Sequence, residues 1–411
     1  MPITRQIPVP LRVLLGSQFG VFFLGNGLSL TGTWMQRIAC SWLVWDWTHS
    51  AFWVGIVAAG DLLPVVAIAP FAGVAADRWD RLKMNIASQS LSALLAVLMA
   101  VLLAFGLLGL MGVVVLISLQ GMLTAATQPS RFAMVQQMVA REEMSTAVGL
   151  NSVNVNLARL IGPAIAGAMI LHWDILWVFV ANAAVTVLFV LVLLRIRLAP
   201  RPGAKLKLPF LTEMVEGFAY VLHAQALRLI LLTLLFGGSL ARSVMELLPA
   251  VAARSFEQGA AGLALLTSAA SVGAMVAGLT VGRTSAARIL SMALVWWGGG
   301  AIVAIVLTQT REPWLAVASV VLLGALITRS LVAAQTFVQI TTPDALRGRA
   351  LSAFGLIARG SPALGALGIG YAADQIGLDR AVLVSSGALL LVLVLLIWPI
   401  RRAAQRVQHA D

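Results

Sequence analysis

The chain has 411 residues, 60% of them hydrophobic and 11% charged, with a formal net charge of +12 and a mean hydropathy of +0.95. A soluble globular domain carries about 25% charged residues, so this composition excludes that class and points to a polytopic membrane protein. The single cysteine, Cys40, excludes an intramolecular disulfide framework and a cysteine-based metal cluster, and no cofactor or metal is expected.

Apolar runs of bilayer-spanning length, about 20 residues each, fall at roughly 14–45, 51–76, 84–106, 110–138, 145–171 and 174–195. After a polar interval they resume at roughly 226–253, 260–282, 288–308, 313–340, 349–373 and 378–400. The first run is too long for a signal-peptide core and is followed by many more, so it reads as a retained helix. The expected fold is therefore all-α, with twelve transmembrane helices in two pseudo-symmetric six-helix bundles. Residues 1–195 form the first bundle, 196–225 a basic linker, and 226–411 the second bundle with a short basic tail.

Between the second and third runs lies GVAADRWDRLK, residues 73–83, with Asp77, Arg78, Asp80, Arg81 and Lys83 inside seven positions. Bilayer-buried charge costs several kcal/mol, so this hairpin must lie at a membrane surface. Gly73 allows close helix approach, and Asp77 four residues on is within reach of a helix N-terminus or an arginine. The alternative is a basic loop that only sets topology.

Nineteen basic residues, from Arg5 and Arg12 through Arg347, Arg349, Arg401, Arg402 and Arg406, fall on one side of the spans. Only Arg254, Arg311 and Arg380 fall on the other. By the positive-inside rule both termini are cytoplasmic. Trp42, Trp45, Trp47, Trp53, Trp173, Trp177 and Trp314 crowd the outer ends as an aromatic belt. The linker from Arg195 to Gly217 is basic and suits an interfacial helix at its end. No nucleic-acid partner is expected, because the positive charge follows the loops.

The two halves echo each other. Val135–Gly167 and Val338–Ala366 each carry a basic loop, an Ala-Arg pair (Ala158–Arg159, Ala358–Arg359) and a proline amid small residues. Gly278–Arg288 echoes the hairpin, with Gly282 where Asp77 would be.

Twelve spans, a basic central linker and this hairpin resemble the major facilitator superfamily. Its second-to-third loop signature is G-x-x-x-D-R-x-G-R-K/R. Gly73, Asp77, Arg78 and Arg81 match, Asp80 replaces the second glycine and Lys83 falls one place late. GPAIAG, with Gly162, Pro163 and Gly167, is similar in part to the glycine–proline element of the superfamily's exporters. QPSRFAMVQQMV, NLARLIGP and RSVMELLPAVA further resemble bacterial drug and siderophore exporters. The resemblance implies alternating access in the bacterial inner membrane, with Asp77 as a cytoplasmic latch that pairs with the other half and then releases it. It also implies a monomer moving a small molecule in exchange for protons. One departure concerns coupling: the arginine that such antiporters carry before a Gln-Gly pair is replaced by Ile117, ahead of Gln120–Gly121.

Ionisable groups inside spans are functional candidates by default. Asp61 stands alone in AAGDLLP and reads either as a proton carrier, its pKa raised by low dielectric, or as the partner of an arginine. Arg242 and Glu246, four apart, share a helix face as a fixed pair or as a carboxylate whose affinity changes with bending at Pro249. Arg37 shares a stripe with Asn26, Leu30 and Thr33, which reads as cavity lining or as a packed face. Arg159 and Arg359 sit at equivalent places in the halves, and with Arg329 and Asp61 they count to mid-membrane. Gln120, Gln128, Gln335 and Gln339 line the path or glue helices. Five intramembrane arginines against two carboxylates leave an excess of three positive charges. Guanidinium binds carboxylate, catecholate and phosphate oxygens, so the expected cargo is an anion or an oxygen-rich molecule such as a siderophore, with drug efflux (multidrug resistance) the related alternative.

Rival readings are an importer or uniporter of the same fold, an intramembrane enzyme, and a membrane sensor. The four histidines lie in loops, span edges or the tail, and H-E-x-x-H, Walker and G-x-S-x-G motifs are absent from the sequence, so an ion gradient rather than ATP is expected to drive transport.

Overall fold

The computed structural model describes residues 9–16, 18–198, 219–257, 259–280 and 284–408. The elements are α-helices, with two 3₁₀ segments, among these residues. In order they are α1 (Val9–Gly16), α2 (Gln18–Thr48), α3 (Ala51–Arg78), α4 (Arg81–Ala104), α5 (Leu110–Met138), α6 (Met144–His172) and α7 (Ile175–Arg195). There follow α8 (Gln225–Leu240), α9 (Leu248–Ser255), α10 (Gly259–Leu279), α11 (Ala286–Gln309), α12 (Pro313–Thr341), α13 (Asp344–Ile376) and α14 (Leu378–Gln408). Among the described residues eleven spans are long and apolar enough to cross a membrane, and twelve if α1 and α2 count as one bent span. Twelve is the number expected. At 1.5 Å per residue even the 21-residue α7 reaches across a hydrocarbon core of about 30 Å.

Local chemistry explains where helices start and stop. Asp80, in extended conformation, caps α4 by accepting from the Lys83 amide at 3.0 Å. The residue that breaks the hairpin signature is thus a helix cap. Asp174 caps α7 in the same way, accepting from the Leu176 amide at 2.7 Å. A single residue, Gly377 at φ 87°, joins α13 to α14, and only glycine adopts that backbone without steric cost. Lipid-facing surfaces carry exposed Leu, Val and Ile, as in α14 with Leu391, Val394 and Leu395.

By internal contacts the chain divides into one unit of residues 1–40 and 67–206 and another of 41–66 and 207–411. In the first, polar side chains tie α2 to its neighbours. Asn182 Nδ2 donates to Gln36 Oε1 at 2.5 Å, Ser29 Oγ to Gln89 Oε1 at 3.3 Å, and Asn154 Nδ2 to the Phe23 carbonyl at 2.8 Å. Such bonds replace the hydrophobic drive that lipid removes. Phe19, Phe22, Met134, Phe189 and Leu193 form a buried cluster nearer the basic helix ends. Arg131 lies in the last turns of α5, its guanidinium carbon 5.7 Å from the Phe189 ring centre.

In the second unit, backbones meet at glycines. A Cβ at Gly273 would lie 1.9 Å from the Val321 carbonyl oxygen, and one at Gly324 would lie 2.3 Å from that of Ala270. Helices α10 and α12 are therefore in main-chain contact. Gly237 seats the buried Trp297 of α11 on α8.

The seventh span departs from expectation. Where 226–253 reads as one helix, α8 ends at Leu240, Arg242–Leu247 is a 3₁₀ segment, and α9 begins at Leu248. Pro249 sits in the first turn of α9, where its missing N–H has no intrahelical partner to lose. Its expected role as a bend that removes a hydrogen bond is therefore corrected. The echo of the hairpin cannot be compared, since residues 281–283 lie outside those described.

Candidate functional site

The first unit places a cationic pair around one indole. Arg37 lies one turn after Trp34 on α2, with its guanidinium carbon 5.2 Å from the Trp34 ring centre. Arg159 on α6 approaches the same ring at 5.5 Å. Gly162, one turn after Arg159, makes this possible. A Cβ there would sit 2.6 Å from the Trp34 Cβ and 2.9 Å from the Thr31 carbonyl oxygen. Pro163 and Gly167 are also buried in α6. The glycine–proline element therefore seats α6 on α2 and sets the height of Arg159.

The rest of the α2 stripe is less open than its spacing suggests. Asn26 is 3% exposed, and its Oδ1 has no hydrogen-bond partner among the described residues. Thr33 Oγ1 donates to the Ser29 carbonyl at 2.9 Å, bonding to its own helix. Gln120 is buried, with Oε1 likewise unpartnered among the described residues, and Gln128 is half-buried. Trp34 was missed in the sequence reading. Its signal was an aromatic one turn before an intramembrane arginine.

The second unit gathers Asp61, Arg242, Glu246 and Arg359 on α3, the 3₁₀ segment and α13. Around the break α8 and α13 touch directly: a Cβ at Gly365 would lie 1.9 Å from the Ser239 carbonyl oxygen, and one at Gly238 would lie 2.0 Å from Ser361 Oγ. Arg242 Nη1 donates to the carbonyl of Ala358, the residue before Arg359. At three residues per turn, positions four apart point about 120° away from each other. Arg242 and Glu246 therefore do not share the α-helical face that their spacing suggested, and both have partners. Asp61, half-buried on α3, interacts electrostatically with Arg359, also half-buried. Of the two readings left open for Asp61, an arginine partner is present, and a partnered carboxylate can still exchange a proton.

Helices α3 and α13 stay in contact from there toward the aromatic end. A Cβ at Gly55 or Gly370 would lie 2.6 Å from the carbonyl oxygen of Ala366 or Ala51, respectively. Asp374 of α13 then accepts from the Ala51 amide at 2.8 Å and from Ser50 Oγ, capping α3 from a different helix. Beyond this contact a cavity of about 740 Å³ opens among Trp42, Trp45, His49, Arg254 and Asp379. Arg254 there pairs with Asp379 and donates to the Thr308 carbonyl.

Other expected residues lie elsewhere. Arg329 Nη2 donates to Thr280 Oγ1 at 2.7 Å, just beyond the end of α10, so its charge sits at the basic end and not at mid-membrane. Gln335 and Gln339 are exposed on α12. Of the hairpin latch, α3 is helical to Arg78, but the side chains of Gly73, Asp77 and Arg78 lie outside the described residues. Arg81 is half-buried with contacts of its own, and the Lys83 backbone is held by Asp80.

The family model described as transmembrane secretion effector matches residues 9–409. The chain belongs to that family. It is thereby a member of the major facilitator superfamily, a multi-pass secondary transporter and not an enzyme. It is 30% identical to the staphyloferrin A transporter of Staphylococcus aureus (strain NCTC 8325 / PS 47) over 165 residues, which is 39% of this chain and 41% of that protein. It is 26% identical to the enterobactin exporter EntS of Shigella flexneri over 347 residues, covering 80% and 79% of the two chains. Among solved structures, the nucleoside transporter NupG superposes with a TM-score of 0.71 at 14% identity, covering 96% of this chain and 99% of its own. A bacterial homologue of the human lysosomal transporter Spinster gives 0.73 at 14% identity, covering 97% and 98%. At that identity the likeness concerns the fold alone.

Proposed function

We propose that this family member exports a small, oxygen-rich anion of the siderophore class out of the cytoplasm by proton antiport. The observation that carries this reading is Trp34 flanked by Arg37 and Arg159. Guanidinium forks bind catecholate and carboxylate oxygens, and the indole between them holds both guanidiniums by cation–π attraction. The named cargoes of the two relatives, staphyloferrin A and enterobactin, support the same class. In this reading both termini are cytoplasmic, the bundles are residues 1–195 and 226–411, and a monomer works in the bacterial inner membrane. The basic linker at 196–225 joins the bundles, and Asp77 latches the cytoplasmic side.

Asp61 carries the proton, and the sign of the coupling follows from its chemistry. The ionised carboxylate accepts hydrogen bonds from cargo hydroxyls beside Arg359, the arginine it faces. A proton arriving from outside neutralises Asp61, removes those bonds and releases the cargo outward. Proton and cargo thus exclude each other, which is the requirement for exchange. One proton moving down 100 mV supplies about 2.3 kcal/mol, roughly a fifty-fold gradient, and each negative charge that leaves with the anion adds as much again.

Everted vesicles with an acid interior test this. A tricatecholate and a hydroxycarboxylate siderophore should accumulate, and a protonophore should collapse that accumulation. Accumulation of lipophilic cations alone would remove the anion reading. Accumulation indifferent to the protonophore would remove the antiport.

A further inference from the structure

A second concavity lies far from these groups, on the outer face of the second unit between α11 and α14. Its volume is about 380 Å³. On α11 it is lined by Ser291, Leu294, Val295 and Gly298, which are spaced 3, 1 and 3 residues apart and share one helix face. On α14 it is lined from Leu390 past Val394 and Ile397 to Arg401. The walls are aliphatic, and the charge stands at one end.

Three observations say what fits. The first is length: eleven residues from Leu390 to Arg401 rise about 16 Å, close to half of a hydrocarbon core of about 30 Å. The groove therefore has the depth of one leaflet. The second is Gly298. Unlike Gly273 and Gly324, it is not pressed against a neighbouring backbone, since a Cβ there would find Leu390 and Leu393 only at 3.9 Å. Its missing side chain opens space and does not serve helix approach. The third is Arg401, exposed at the mouth with no hydrogen bond or ion pair to any described residue. Beside it Arg402 covers the ring of exposed Trp398 at 3.2 Å, an aromatic anchor of the kind found at membrane–water interfaces.

We propose that this groove is a binding site for an anionic phospholipid from the leaflet at the basic end. One acyl chain lies between α11 and α14 with its tip at Gly298, and the phosphate meets Arg401. Aliphatic walls fit the chain, the volume admits one chain, and the charge at the mouth selects the headgroup. A basic residue near a membrane surface contributes about 1 kcal/mol toward an anionic lipid. The site is independent of the cargo reading.

Native mass spectrometry of the delipidated full chain, titrated with phosphatidylglycerol or phosphatidylcholine of matched chains, tests this. The wild type should retain one phosphatidylglycerol about five-fold more tightly than phosphatidylcholine, the ratio that about 1 kcal/mol gives. Arg401→Gln should abolish that preference while chain binding persists. Gly298→Leu, which fills the groove, should remove both lipids from the site. Gly298→Ala, which meets nothing closer than 3.9 Å, controls for folding. Equal retention of the two lipids by the wild type, or unchanged retention in Gly298→Leu, would overturn the proposal.

Discussion

The cap that α13 places on α3 yields the sharpest local prediction. Ser50 caps α3 from within, accepting from the Trp53 amide at 3.2 Å, and Asp374 caps it from outside through the Ala51 amide and the Ser50 hydroxyl. Removing a cap costs about 1 kcal/mol, and losing an acidic group beside a helix N-terminus costs about 0.3–1 kcal/mol more. Asp374 is exposed, so solvent screening puts the charge contribution at the lower end and the total at about 1.5 kcal/mol. Asp374→Ala should therefore raise local opening roughly ten-fold, read as faster amide exchange over Ala51–Val54 by hydrogen–deuterium exchange in detergent. Asp374→Asn, which keeps an acceptor oxygen and loses the charge, should give about two- to three-fold. Exchange in α10 and α12, held by their own glycine contacts, should not change. Unchanged exchange at Ala51–Val54 in Asp374→Ala would refute the argument, because the cap would then contribute nothing to this terminus.

Gly324→Leu forces a side chain into the Ala270 carbonyl and should cost at least about 1–3 kcal/mol, lowering the Tm in detergent; Gly298→Ala should leave the Tm unchanged. Arg159→Gln should raise the KM for an anionic cargo ten-fold or more, since a bond to a charged group contributes about 1.5–3 kcal/mol. Trp34→Leu, which keeps both guanidiniums, should raise the KM only about five-fold through the lost ring contacts, as a comparison of KM at equal expression would show. Asp61→Asn should abolish the response to an imposed pH gradient while cargo counterflow persists at a raised KM, and a wild-type gradient response would assign the proton elsewhere.

The fold was legible because bilayer physics writes itself in runs. Twelve apolar segments, basic loops alternating with aromatic ends, and a hairpin signature each follow from the cost of charge and of bare backbone in lipid. Local starts were partly legible too. Asp80 looked like a defect in a signature, but an aspartate three residues before Lys83 at the head of an apolar run is also a cap. The glycines that set helix approach, Gly273, Gly324 and Gly365, could not be told from Gly298 by sequence. What separates them is a neighbour's backbone within 2.5 Å of an imagined Cβ, and that neighbour lies on another helix.

The site was legible as a set of charges and illegible as a geometry. Asp61, Arg159, Arg242 and Arg359 were picked because lipid penalises them wherever they point. Trp34 was not picked, because a tryptophan in an apolar helix carries no such penalty. The break at Arg242–Leu247 was hidden for a related reason. RSVMEL has no glycine and its proline follows two residues later, so nothing local forbids an α-helix there. The break is made by contact: Gly238 and Gly365 let α8 and α13 meet, and Arg242 reaches the Ala358 carbonyl one residue from Arg359. A carbonyl that accepts from a guanidinium ties the 3₁₀ segment to the arginine that Asp61 faces. In the proposed antiport, protonation of Asp61 would act on a segment already out of α-helical register, and such a segment can lengthen or shorten by a turn with less loss of backbone bonding than a continuous helix. On that proposal the carboxylate and the deformable span meet α13 at adjacent residues, Asp61 facing Arg359 and Arg242 bonding to the Ala358 carbonyl.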